Sequence, residues 1–203
     1  MFFHVTLTNY TTRKLFFSFS TLEFILYHIV LDVSILFTLA TDGDITLEKN
    51  KVLNSANLIT LYEEFDVSFE LYINAKSAGN SWFNILRLTS TDENKSPFDK
   101  GDRLATVYTR GQLGLIHFSS ARDDYQSYSH TVSLPVQTWI PLRIQQVLDG
   151  HNFRLKFSYD GNVVQDYSMN FPTMIYNDTK IYASSGGKLL NAKIRNLMIS
   201  TSK

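Results

Sequence analysis

The chain has 203 residues, 44% of them hydrophobic and 14% aromatic, which is enough to bury one core and is not the composition of a disordered segment. Lysine plus arginine and aspartate plus glutamate number 19 each, so no basic excess exists for a nucleic-acid or anionic-membrane surface. The absence of cysteine excludes a disulfide framework, a thiolate nucleophile and a cysteine-ligated metal.

Residues 14–40, KLFFSFSTLEFILYHIVLDVSILFTLA, form the most apolar stretch and follow Arg13. A basic flank, an apolar run and the small Ala40 read as a signal peptide with its apolar core at Val33–Ala40 and a cut before Thr41. The same run reads as a signal anchor, since it is long enough to span a bilayer. Glu23, His28 and Asp32 interrupt it, and a carboxylate at bilayer depth costs about 2.5–3.5 kcal/mol. The third reading is an extension docked on the domain, or upstream sequence outside the mature fold. Residues 1–41 are therefore set apart from a domain spanning 42–203. In the first two readings everything after Ala40 is extracellular, with a membrane anchor in the second. The glycosylation triplets at Asn9, Asn94 and Asn177 suit that compartment, the last two falling in predicted loops.

From residue 58 onward the hydrophobic period is two. Phe65, Val67, Phe69, Leu71 and Ile73 alternate with Asp66, Ser68, Glu70 and Tyr72, the mark of a strand with one buried side. WFNILRLT (82–89) is apolar on both faces and reads as a more central strand. A polar loop, 90–101, leads to Leu104–Thr109, and Arg110-Gly111-Gln112 turns the chain into Leu113–Phe118. After the loop 119–129 comes a short strand, His130–Leu134. Ile140, Leu142 and Ile144 then face one way, and Arg143 and Gln145 the other. Asp149-Gly150 and Asp160-Gly161 bracket Phe153, Leu155, Phe157 and Tyr159 as successive hairpin turns, because glycine tolerates the positive φ that tight turns need. Lys180–Ala183 and Lys193–Ile199 close the series. Short strands with frequent turns and no helix after residue 41 predict an all-β, antiparallel two-sheet β-sandwich in one domain.

The order WFNILRLT, GDRLATVY, RGQLGLIHF, TWIPLRIQQ, FRLKFSYDG and TKIYASSGG…AKIRNLMIS resembles a laminin G-like domain of the concanavalin A-like lectin/glucanase jelly rolls, over about residues 60 to 200. Trp139 departs from the usual pattern, being followed by Ile140-Pro141 where the family has His. The resemblance implies a glycan- or protein-binding module and, in many members, one calcium at the rim. Its aspartate before a strand corresponds to Asp102, with Asp99 in the same loop, so Asp102 is the candidate calcium ligand. Calcium takes about six to eight oxygens, and one or two carboxylates must recruit carbonyls or water; an ion pair with Arg103 is the competing role.

Glycoside hydrolases and polysaccharide lyases use the same scaffold. Glu64, Asp66 and Glu70 share a strand face, with Glu64 and Asp66 about 7 Å apart by strand rise. That spacing suits only an inverting pair, which needs about 6.5–9.5 Å. The Glu-x-Asp-x-Glu strand of laminarinase-like enzymes is broken by Ser68. These carboxylates read as a solvated face, and the five histidines show no metal or triad spacing. Sugar sites stack rings on exposed aromatics, and the candidates are Trp82, Tyr108, Tyr125, Tyr128 and Tyr182. The expectation is a non-enzymatic extracellular module binding a glycan or protein through loops 90–103 and 119–130, with Asp99, Asp102, Arg103, Tyr125 and Tyr128 as contacts. A polysaccharide-degrading enzyme and a purely structural or adhesion domain are the alternatives.

Overall fold

A computed structural model describes residues 37–41, 43–75, 81–91, 101–110, 114–121, 128–133, 135–169, 175–184 and 190–202. Two antiparallel sheets stack face to face. The first runs β1 (Phe37–Ala40), β14 (Ala192–Ser202), β5 (Glu64–Ile73), β10 (Trp139–Asp149), β11 (Asn152–Tyr159), β12 (Asn162–Met169), with β2 (Ile45–Thr46) also on β14. The second runs β3 (Lys51–Val52), β13 (Tyr176–Ala183), β6 (Trp82–Thr89), β7 (Arg103–Arg110), β8 (Leu115–Ala121), β9 (Tyr128–Ser133), with β4 (Ile59–Leu61) on β13. No helix occurs among the described residues. The all-β sandwich is what the period-two pattern required.

Alternation along β5 is complete: Phe65, Val67, Phe69, Leu71 and Ile73 are at most 3% exposed. Ile140, Leu142, Ile144, Leu155 and Phe157 extend that floor across the first sheet. Phe83, Leu86, Leu88, Val107, Ile116 and Phe118 face it from the second. Phe157 stacks on Phe118 across the gap, centroids 5.3 Å apart. Each such side chain contributes roughly 1.5–3 kcal/mol by leaving water. At the β12 and β9 edges Tyr167 Oη donates to the Ser129 carbonyl at 2.5 Å, tying the layers together.

Both Asp-Gly turns form. Gly150 has φ 65° and heads a two-residue loop closed by Asp149 opposite Asn152. Asp160 and Gly161 have φ 49° and 76°, the doubly positive turn that matches strand twist. The Gly111 turn lies outside the described residues. β6 sits between β13 and β7, which explains why both of its faces are apolar or buried.

Phe37–Ala40 pairs with β14, Leu39 opposite Ile199, and Leu39 is 5% exposed, so the sandwich reaches back past residue 41. A cut before Thr41 would strip this edge strand from the sheet. Asn177 lies within β13 rather than in a loop, where the pairing with β4 shifts between Tyr176 and Thr179 and leaves its side chain exposed. Residues 1–36, with Asn9, and Asn94 lie outside the described residues.

Candidate functional site

Cross-strand register decides which side chains share the outer face of the second sheet. Trp82 lies opposite Arg110, and Asn84 opposite Tyr108, which is opposite His117, which is opposite Thr131. One row further, Tyr182, Arg87, Thr106 and Ser119 line up. These positions alternate with Leu86, Val107, Ile116 and Phe118, which point into the core. A bulge between Asn84 and Leu86 keeps Trp82 and Asn84 on the outside with Arg87.

The result is a polar bed that is withdrawn from solvent. Asn84 and Arg87 are each 8% exposed, and Thr106 and Ser119 are fully buried. Trp82, by contrast, is 49% exposed. Around it the His117 ring stands 5.3 Å away edge-on, the Tyr108 ring 6.4 Å, and the Arg110 guanidinium lies 5.6 Å over the indole. Arg87, Arg103 and Arg110 supply three guanidinium groups to this face, and Asp102 places a carboxylate between the first two.

Asp102 is positioned by Gly101. That glycine has φ +83°, and a Cβ there would run into Ser90 Oγ. Its carbonyl accepts from Ser90 N at 2.9 Å and Thr89 Oγ1 at 3.1 Å, closing the loop end against β6. Asp102 Oδ1 then pairs with Arg87 Nη2, while Arg87 Nε donates to the Asp102 carbonyl at 3.2 Å. Arg103 Nε stands 3.9 Å from Asp102 Oδ2, and Arg103 Nη1 donates to Ser119 Oγ at 3.4 Å. The pair is buried, its side chains 10% and 1% exposed.

These cations set the local electrostatics. Burial raises the Tyr108 hydroxyl above its ordinary range, with Arg103 and Arg87 pulling it back. Burial first, then Arg103 and His130, holds the His117 imidazole below its usual value. His117 Nδ1 lies 3.0 Å from Thr131 Oγ1.

Of the expected contacts, the structure brings Asp102 and Arg103 together with Arg87 and adds Trp82 and Tyr108 on the same face. Asp99 and Tyr125 lie outside the described residues, and Tyr128 opens β9 opposite Ser120. β6 stops and β7 starts, and β8 stops and β9 starts, at the end of the sheet that carries Asp102 and Arg103. Sequence reasoning missed Arg87, Arg110 and the role of His117. As a calcium ligand Asp102 does not fit: both oxygens face guanidinium groups, which already supply the positive charge a metal would bring. No cluster of three His, Asp or Glu suited to a metal occurs among the described residues.

The carboxylates considered for hydrolysis lie on the other side of the molecule, on the outer face of the first sheet. Asp66 accepts from Arg143 Nε at 2.8 Å and Gln145 Nε2 at 3.2 Å. Glu70 accepts from Arg195 Nη2 at 2.6 Å and Asn196 Nδ2 at 2.8 Å, and Glu64 Oε1 accepts from Leu148 N at 2.7 Å. Arg195 holds the Glu70 carboxyl below its ordinary value, opposite to the shift a general acid needs. Two open grooves of about 370 and 440 Å³ lie among these residues, and Asp66, Glu70 and Arg143 in their linings are already held in ion pairs. The second sheet is the better candidate.

No family model and no curated protein matches the sequence. Solved structures do share the fold. The Ruminococcus gnavus IT-sialidase CBM40 bound to α2,3-sialyllactose superposes with a TM-score of 0.54 at 12% identity, covering 80% of this chain and 91% of that one. A further structure of the Ruminococcus gnavus IT-sialidase CBM40 gives 0.54 at 11% identity. The botulinum neurotoxin type G receptor binding domain gives 0.50 at 11% identity; the alignment covers 82% of this chain and 42% of the toxin chain, so this chain spans about two fifths of that length. The likeness is one of fold: two antiparallel sheets packed as a β-sandwich.

Proposed function

We propose that the chain is a non-enzymatic glycan-binding module whose site is the outer face of β6, β7 and β8. The carrying observation is the half-exposed Trp82, flanked by Arg110, Tyr108 and His117 over a buried polar bed. An indole offers the apolar face of a sugar ring a flat partner, and the Arg110 guanidinium beside it supplies donors for the sugar's polar groups, while the buried groups beneath hold the two in place. The guanidinium groups favour a sugar bearing a carboxylate, which an arginine fork can bind bidentately. The likeness to a CBM40 described with α2,3-sialyllactose supports that choice of ligand class.

In this reading Asp99, Arg103, Tyr125 and Tyr128 contribute contacts at one end of the site, Asp102 holds Arg87 in place beneath it, and the partner is a glycan or an extracellular protein. The laminin G-like order of residues 60–200 fits the same role. The basic and apolar N-terminal run supports an extracellular location, secreted or membrane-anchored, with any processing before Phe37 so that β1 is kept. N-terminal sequencing of secreted material tests the compartment.

Calorimetric titration with α2,3-sialyllactose and with lactose tests the site. Saturable binding of the charged sugar, without release of reducing ends, and its loss in Trp82→Ala support the reading. Binding unaffected by Trp82→Ala, or no binding of either sugar, would sink it, and turnover would favour the polysaccharide-degrading alternative.

A further inference from the structure

His117 stands at the middle of this face, between Tyr108 on β7 and Thr131 on β9, with the Trp82 ring from β6 at 5.3 Å. Its Nδ1 meets Thr131 Oγ1 at 3.0 Å, and among the described residues Nε2 has no hydrogen-bond partner. A threonine hydroxyl both donates and accepts, so it anchors the ring whether Nδ1 carries a proton or not. The imidazole can therefore change charge without losing its orientation.

Among the described residues the charged and titratable groups around it are cationic or neutral. They are Arg103, Tyr108 and Arg110 from β7, Arg87 from β6 and His130 from β9, while Asp102 is turned to Arg87. In the free protein this company, with burial, disfavours an imidazolium. A ligand carboxylate entering the face reverses the balance, giving the proton a counter-charge and Nε2–H an acceptor.

We propose that His117 is the specificity-determining residue of this face: it takes up a proton as a carboxylate-bearing sugar docks, so preference for charged over neutral glycans strengthens with acidity. The inference rests on the reading of this face as a glycan site. The sign follows from linkage. The ligand raises the imidazole pKa, so affinity is low and constant above the complex's value and rises as the pH falls toward the free value, which lies below about 6.5. A sugar carboxylate stays ionised throughout that window.

The test is calorimetry with α2,3-sialyllactose and lactose at about pH 7.5 and about pH 5.5, in buffers of different ionisation heat. Sialyllactose should bind about three- to tenfold more tightly at the lower pH with net proton uptake, and lactose should not change. His117→Gln should bring the ratio close to one, whereas His151→Gln, at an exposed turn, should keep it. The His117 imidazole resonances of the unaltered protein should titrate higher with the sugar present, a readout independent of any variant. Firm sialyllactose binding with a flat pH profile, or an undiminished ratio in His117→Gln, overturns the proton uptake while leaving the glycan site standing. No binding of either sugar at either pH brings down both.

Discussion

The two outer faces of the sandwich carry similar residue types and use them differently. On the first sheet Asp66 meets Arg143 and Glu70 meets Arg195 on the neighbouring strands, and those side chains are 25–48% exposed. Even Trp139 has its face covered, with the Arg195 guanidinium 4.1 Å above it and Tyr72 beside it at 5.2 Å. On the second sheet the polar groups are buried while the indole of Trp82 remains half open. The first sheet pairs its outer charges at the solvent surface, whereas the second pairs Arg87 with Asp102 beneath the surface and leaves one indole ring half open.

The largest expected difference is in stability. Asp102→Ala leaves the Arg87 guanidinium buried without its carboxylate and should cost about 3–5 kcal/mol in a denaturant titration. Asp66→Ala, on the solvated face, should cost no more than about 1 kcal/mol. Equal losses would erase the distinction between the faces.

Next comes binding. Trp82→Ala should weaken α2,3-sialyllactose by about 2 kcal/mol, roughly thirtyfold, with a stability change well below that of Asp102→Ala. Trp139→Ala should leave the sugar affinity unchanged, since it lies on the other sheet. A reversed outcome would move the site to the first sheet.

Smaller still is an acid effect. Glu70 has a folded pKa below the unfolded value of about 4.3, so its pairing stabilises the fold above that pH. The contribution is lost as the pH falls through the folded value. Glu70→Gln should therefore lower stability by less than about 1 kcal/mol at neutral pH and converge with the parent as the pH falls through the folded value, as measured by melting. Calcium at millimolar concentration should shift the melting temperature of neither the parent nor Asp102→Asn, because Arg87 occupies the carboxylate.

The long strands were legible because burial repeats every second residue. β5, β6, β10 and β11 each hold at least eight residues, enough for alternation or a sustained apolar run to stand out, and both Asp-Gly turns announce themselves. β1 through β4 hold two to four residues each, too short for a period to show, and the apolar β1 merges with the run before it. The site is harder to read for a different reason. Trp82 and Tyr108 were visible as aromatics, but their partnership with Arg110 and His117 exists only through the register of three strands. The bulge after Asn84 shifts the face by one residue, so Arg87 joins Trp82 against simple alternation. Asp102 was placed by resemblance as a metal ligand; what decides its role is Arg87, fifteen residues earlier and adjacent only in the folded sheet.

The most direct measurement is a titration of isotope-labelled protein with α2,3-sialyllactose, following the Trp82 and Trp139 indole signals and the backbone amides of both sheets. The account predicts saturable shifts at Trp82, Tyr108, Arg110 and His117, with Trp139, Asp66 and Glu70 unmoved. Shifts centred on the first sheet, or none on either, would contradict it.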